Sequence, residues 1–345
     1  MRKAMKKRVR GVLLVMAMLA SMLYGCGSSG GKTEPAPAPE APAESPEAGD
    51  LSGKRVVLLV KQMANDFWVE LVDAAQKTAD EKGIELEVLC PLTADSNEEQ
   101  ISLLEQALLD PPEVFIVVPA DQEGIIPAIE KINDAGIPII NLDTPITSEE
   151  TDILTFVGSN NYDLGYDLAK AAVEKTGIKE GKVLIVEGKT GAASSQQRTA
   201  GAEAAYAELG WEVLDKQPGN WSRDESYNVV QNLLQKYNDV DVIQFNSVSM
   251  ALGAYEAVTK SGQTDIRCVA VDKNAEALQL MKDTDAATLF CLIDNPPDFI
   301  GSKGVELAVA SIQGETVEAE YTSSGDIIAP DEEGWDALLS KYKVQ

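Results

Sequence analysis

Residues 54–89 read KRVVLLVKQMANDFWVELVDAAQKTADEKGIELEVL and contain one complete strand–helix–strand unit. Val56–Val60 is an unbroken apolar run rich in β-branched residues, the pattern of a strand covered on both faces. Phe67, Leu71, Ala74, Ala75 and Thr78 follow at helical spacing and mark one apolar face. Glu85–Leu89 returns to a strand pattern. Two strands joined through a helix run parallel when the crossover carries the chain back to the starting end of the sheet.

The same alternation continues in both directions from this unit. Ile101, Leu104 and Leu108 mark a helix closed by Pro111 and Pro112; Val114–Val118 reads as a strand, Glu123–Asn133 as a helix and Pro138–Leu142 as a strand. After Ile153–Val157 the pattern restarts, with strands at Val183–Val186, Val213–Leu214, Val242–Phe245, Cys268–Val271 and Ala287–Ile293. The clearest helix between them carries Val230, Leu233, Leu234 and Tyr237. The fold class is therefore α/β, with two doubly wound parallel sheets of Rossmann-like type spanning roughly 54–159 and 160–295. A length of 345 residues suits this, at about 100–200 residues per domain.

Composition removes several function classes. There is no histidine, which eliminates Ser-His-Asp and Cys-His catalysis and His-ligated metal sites. Lys and Arg number 29 against 56 Asp and Glu, a net charge of −27, so no basic face is expected for nucleic acid. The four cysteines form no C-x-x-C pair. Cys90, Cys268 and Cys291 read as buried thiols, with a Cys268–Cys291 bridge left open. Gly188-Lys189-Thr190 lacks the glycine a phosphate loop needs at Val183, and Asp95-Ser96-Asn97 lacks the calcium-loop glycine, since Gln100 stands there. Asp95 or Ser96 instead reads as a helix N-cap. No enzyme, cofactor or metal is expected.

The N-terminal residues read as a targeting segment. Arg2, Lys3, Lys6, Lys7, Arg8 and Arg10 precede an apolar run, Val12–Leu23, too short to cross a bilayer. The run ends in Leu23-Tyr24-Gly25-Cys26, which resembles a bacterial lipobox. Residues 1–25 are thus expected to be a signal peptide, and Cys26 to be lipidated. Residues 26–50, rich in Pro, Ala and Glu, are expected to form an extended tether holding the body at the outer face of a cell membrane.

In doubly wound sheets, ligands bind beyond the carboxyl ends of the strands. The residues there are Asn65, Asp66, Phe67, Trp68, Asp143, Thr144, Arg198, Trp221, Asn246, Asp272 and Asn295. Aromatic rings, carboxylates, a guanidinium and amides together suit a polyhydroxylated ligand. Rings cover its C–H faces, carboxylates accept from hydroxyl pairs and Arg donates through a planar fork.

From Lys54 to Ile328 the chain resembles the ribose/galactose-type periplasmic binding proteins, solute receptors of sugar ABC importers. The resemblance rests on Asn65-Asp66-Phe67-Trp68-Val69, the run from Asn133 to Asp143, Gly158-Ser159-Asn160, Arg198-Thr199-Ala200-Gly201, Met250 to Ala254 behind Asn246, and Ile300 to Glu306. It implies an N-terminal domain of residues 51–159 plus 296–323 and a C-terminal domain of 160–295 plus 324–345. Three crossings near Ser159, Asn295 and Ser323 would form a hinge, with a ligand cleft between the domains. It implies ligand-binding roles for Asn65, Phe67, Trp68, Asp143, Arg198, Trp221, Asn246, Asp272 and Asn295. Arg198 and Trp221 are expected to carry affinity with little effect on fold stability. Thr144 stands where the ribose pattern has a second arginine, and Asn295 where it has glutamine. The register after the strand ending at Phe245 is open, placing either Asn246 or Ser247 in the site. The implied partners are a monosaccharide or polyol, an ABC permease and, through the lipid, the membrane; the protein is expected to be a monomer. The alternative from another class is a receptor feeding a sensor kinase or chemoreceptor.

Overall fold

The computed structural model describes residues 51–148, 150–263 and 265–344. The expected signal peptide, the tether and Cys26 lie outside the described residues. The first lobe runs β1 (Arg55–Leu59), α1 (Asp66–Lys82), β2 (Glu85–Leu89), α2 (Asn97–Ala107), β3 (Val114–Val117), α3 (Ile126–Asp134), β4 (Ile139–Leu142) and β5 (Thr155–Ser159). The second runs α4 (Asn161–Thr176), β6 (Lys182–Glu187), α5 (Ala193–Glu208), β7 (Glu212–Pro218), α6 (Arg223–Lys236), β8 (Val242–Phe245), α7 (Val248–Lys260), β9 (Arg267–Val271), α8 (Ala275–Asp283) and β10 (Leu289–Ile293). The chain closes with α9 (Pro297–Ile312), β11 (Glu320–Ser323), β12 (Ile327–Ile328) and α10 (Trp335–Lys341).

Two sheets result, ordered β2-β1-β3-β4-β5-β11 and β7-β6-β8-β9-β10-β12. All pairings are parallel except β10 with β12. Both sheets share one winding order, and each reverses direction at the strand that comes first in the chain, β1 or β6. Crevices open at such reversals. At the first of them the buried Gln100 amide donates to the Val60 and Val118 carbonyls, 3.0 and 2.9 Å away, satisfying strand ends that splay apart. The chain passes between sheets three times, after β5, after β10 and after β11. Ser159 and Ser323 join two of these crossings through their hydroxyls, 2.8 Å apart.

Each sheet is covered on both faces. Val56, Leu58, Ile116 and Ile140 pack under α1 and α9, and Val57, Leu59, Phe115 and Ile139 under α2 and α3. In the second lobe Val183 and Ile185 face α4 and α5, while Leu184, Val186 and Phe245 face α6 and α7. The motif glycines Gly201 and Gly301 have a steric reason. A methyl group on Gly201 would run into the Tyr162 carbonyl of α4, and one on Gly301 into the Leu71 carbonyl of α1. Both helix pairs therefore approach backbone to backbone. No helix among the described residues is long and apolar enough to cross a membrane.

Several details depart from the sequence reading. The buried stripe of α1 is Trp68, Leu71, Ala75, Thr78 and Ala79; it shares Leu71, Ala75 and Thr78 with the expected face and takes Trp68 and Ala79 in place of Phe67 and Ala74. Strand β7 extends to Pro218 although only Val213–Leu214 was expected, because Asp215, Lys216 and Gln217 line a sheet edge and lack an apolar signature. Strands β11 and β12 and helix α10 were not anticipated; β11 is short, partly exposed and recruited by pairing with β5. Of the two N-cap candidates, Ser96 is the one that caps α2, in line with the sequence reading. Cys268 and Cys291 are free thiols, and burial pushes both up to about 12.

Candidate functional site

The carboxyl ends of both sheets open onto one cavity of about 520 Å³, within the ~300–1,000 Å³ usual for small-molecule sites. Of the expected residues, Asn65, Phe67, Trp68, Asp143, Arg198, Trp221, Asp272 and Asn295 line it.

The two lobes present equivalent aspartates. Asp143 follows β4 and donates its N–H to Val157 of β5; Asp272 follows β9 and donates to Ile293 of β10, both at 2.9 Å. Each adopts a left-handed backbone, φ 58° and 74°, which Asp tolerates better than most side chains. The turn at Asp143 is tight, with Thr144 N–H donating to the Leu142 carbonyl at 2.6 Å. The Asn141 side chain braces it, donating to Val117 and Thr144 carbonyls and accepting from Ile146. Asp95 and Trp221, at φ 57° and 60°, are also left-handed cavity residues. For a tryptophan this is a true outlier, and strain of this kind gathers at functional sites.

Each aspartate has a cation. Lys61 Nζ lies 3.3 Å from Asp143 Oδ2 and 2.9 Å from Thr144 Oγ1, and sits 4.8 Å from the centroid of Trp68. Arg198 Nη1 stands 3.9 Å from Asp272 Oδ1, which also accepts from Asn295 Nδ2 at 3.1 Å. Burial holds the Asp272 carboxyl above the usual range, with Arg198 and the Asn295 bond acting the other way. Arg198 is anchored as well, through Nε to Asn161 Oδ1 at 2.8 Å and Nη1 to the Asn246 carbonyl at 2.7 Å. The expectation that it matters little to the fold is therefore corrected: it ties α5 to α4 and to the end of β8.

The aromatics come from both lobes. Phe67 and Trp68 meet edge to face, centroids 4.8 Å apart. Trp68 is almost fully buried against Leu71, and Phe67 is half-buried. Trp221 lies against Gly188, with the Arg198 guanidinium 6.0 Å from its ring centroid.

Asn246 is the one expected site residue that does not line the cavity. Its wholly buried amide donates to the Ser195 carbonyl and Thr199 Oγ1 of α5, at 3.1 and 3.0 Å. Ser247 faces the cavity instead and caps α7. Of the two readings of the register, Ser247 is the one that lines the cavity, while the Asn246 amide bonds backbone and side-chain groups where α5 meets β8.

Other cavity residues were missed. Lys61 stands two residues beyond β1 and four before Asn65, so the strand-end rule applied from the end of the strand itself would have found it. Lys189 and Asp95 form an ion pair between lobes at 3.4 Å, and Asn274 Nδ2 donates across to Asp66 Oδ2 at 2.7 Å. These contacts had no sequence signal, being made by residues 94 and 208 positions apart. Among the described residues no group of three or more Cys, Asp or Glu is placed to hold a metal ion.

A periplasmic binding protein domain matches residues 56–316, most of the described body. The chain belongs to the periplasmic binding protein family. It is 30% identical over 274 residues to the ribose import binding protein of Salmonella typhimurium, covering 79% of this chain and 90% of that protein. Identity is 28% over 289 residues to the D-ribose/D-allose-binding protein of Pseudomonas aeruginosa, covering 81% and 86%. The structure of an ABC transporter periplasmic solute binding protein from Actinobacillus succinogenes with bound D-allose matches with a TM-score of 0.75 at 28% identity, over 80% of this chain and 97% of that one. Two doubly wound lobes and three crossings, expected from the sequence, are the architecture of this family of periplasmic binding proteins.

Proposed function

We propose that this periplasmic binding protein captures a monosaccharide or sugar-like polyol and delivers it to an ABC importer. One observation carries the reading: Asp143 with Lys61 and Asp272 with Arg198 meet in a single cavity that also holds Phe67, Trp68 and Trp221. Carboxylates and cations of this kind match the donors and acceptors of a hydroxylated ring, and the aromatics match its C–H faces. The ribose and allose named for the relatives fall in this ligand class. Lys61 would supply the positive charge that the ribose pattern carries at position 144, where this chain has Thr144.

A ligand that touches both lobes gains all its contacts only when they are together, so it favours the closed population. The crossings near Ser159, Asn295 and Ser323 would serve as the hinge between domains 51–159 plus 296–323 and 160–295 plus 324–345. Lipidation at Cys26 would hold a monomeric body outside the cytoplasmic membrane on the 26–50 tether. The test is a thermal-shift screen of the purified protein against monosaccharides, polyols and nucleosides, followed by calorimetry. A ligand at 100 times its Kd should stabilise by about 2.7 kcal/mol. Failure of every sugar and polyol to stabilise would overturn the proposal.

A further inference from the structure

A second seam joins the lobes, away from the ring of cavity residues. Helix α10 packs on α8 of the second lobe, burying Leu339 in that lobe's core. Just past its end, the Tyr342 hydroxyl donates to Glu70 Oε2 of α1, in the first lobe, at 3.0 Å. Lys341 Nζ donates to Asp298 Oδ2 in the first turn of α9, also first lobe, at 2.7 Å. The C-terminal helix thus belongs to one lobe by packing and holds the other by two polar contacts.

This seam connects to the cavity from both sides. Glu70 stands two residues beyond Trp68 on the same helix. Lys273, a cavity residue, has its Nζ 6.0 Å from the Tyr342 ring centroid and pairs with Asp294, which directly follows β10 at the second crossing. The Lys273 side chain is 3% exposed, so these partners replace water for it. Burial also pushes the Glu70 carboxyl up, the Tyr342 bond and Lys273 acting the other way. A partly buried acid of this kind depends on its donor, which sits on the opposite lobe.

We propose that α10 is an interlobe clasp: the Tyr342–Glu70 and Lys341–Asp298 contacts form as the lobes come together and raise ligand affinity without touching the ligand. Tyr342 and Glu70 are positioning residues, acting through the Lys273 and Trp68 segments they hold. The proposal rests on the cavity being the ligand site. A clasp that favours the closed population raises apparent affinity by removing part of the cost of reaching it.

The test uses Tyr342→Phe, which removes only the hydroxyl, Glu70→Ala, the double variant, and Glu70→Gln, which keeps an acceptor. Calorimetry and stopped-flow release with the best sugar from the screen give Kd and koff; small-angle scattering of the sugar-free proteins gives the radius of gyration. Tyr342→Phe and Glu70→Ala should each raise Kd by about 2–10-fold, mainly through koff. The double variant should match a single one, and Glu70→Gln should recover most of the affinity. A Kd within twofold of wild type for both single variants would overturn the clasp. If no sugar binds at all, the reading of the cavity falls and scattering alone decides: a larger radius in Tyr342→Phe keeps the clasp, and an unchanged one ends it.

Discussion

Arg198 Nη1 and Asp272 Oδ1 face each other at 3.9 Å, with side chains only 6 and 14% exposed. That gap is too long for a direct hydrogen bond and leaves the carboxylate able to accept from a ligand hydroxyl. Because burial raises the Asp272 pKa, proton uptake and ligand binding compete. Affinity is expected to fall as pH drops through that raised value, at a pH above the ~3.9 of an ordinary aspartate. The empty protein should respond the opposite way. Its folded state binds this proton more tightly than the unfolded chain, so the contribution of Asp272 to stability rises as pH falls through the folded pKa. Calorimetric Kd values and melting temperatures measured from neutral pH downward check both signs. Asp272→Asn should flatten both curves and weaken binding at neutral pH by about 1.5–3 kcal/mol.

Gly188→Ala should act on the ligand through Trp221. The added methyl group would overlap the far edge of the indole, which moves more readily than backbone. A displaced ring loses its stacked face, and binding is expected to weaken by about 1 kcal/mol or more while the melting temperature changes little. Calorimetry beside a thermal melt separates the two; a fall in stability with unchanged Kd would place Trp221 outside the ligand contacts.

Lys61→Met keeps an apolar stem against Trp68 and removes the cation beside Asp143. Binding should weaken by about 1–3 kcal/mol, since Asp143 loses its charged partner in a partly dry site. Adding Thr144→Arg to that variant should restore part of the affinity by returning a guanidinium to the same place. Titration of the single and double variants with one sugar is the measurement, and a double variant no tighter than the single would show that the two positions do not substitute for each other.

Gly301→Ala should separate stability from binding in the other direction. Its methyl group meets the Leu71 carbonyl, and backbone has to shift before α1 and α9 can pack. A loss of about 1–3 kcal/mol in unfolding free energy is expected by urea melt. Binding per folded molecule should stay near wild type at temperatures below the transition.

The strand–helix alternation was legible from residues 54–89 outward because buried parallel strands need continuous apolar runs and their covering helices need one apolar face. Strand-end position then located ten of the cavity residues, since the topology carries every such end to the same edge. Tertiary structure decided the rest. Asn246 and Ser247 are neighbours in sequence, and only the packing of α5 on β8 sends one amide inward and leaves the other hydroxyl at the cavity. Phe67 and Trp68 both satisfy a helical period; the position of α1 against its sheet put Trp68 on the buried stripe. Strand β11 has no apolar run because its order comes from β5, and the Tyr342–Glu70 contact joins residues 272 positions apart. Periodicity reports which residues leave water, whereas side-chain direction at a strand end and partners across a cleft depend on backbone turns and lobe placement that local pattern does not encode.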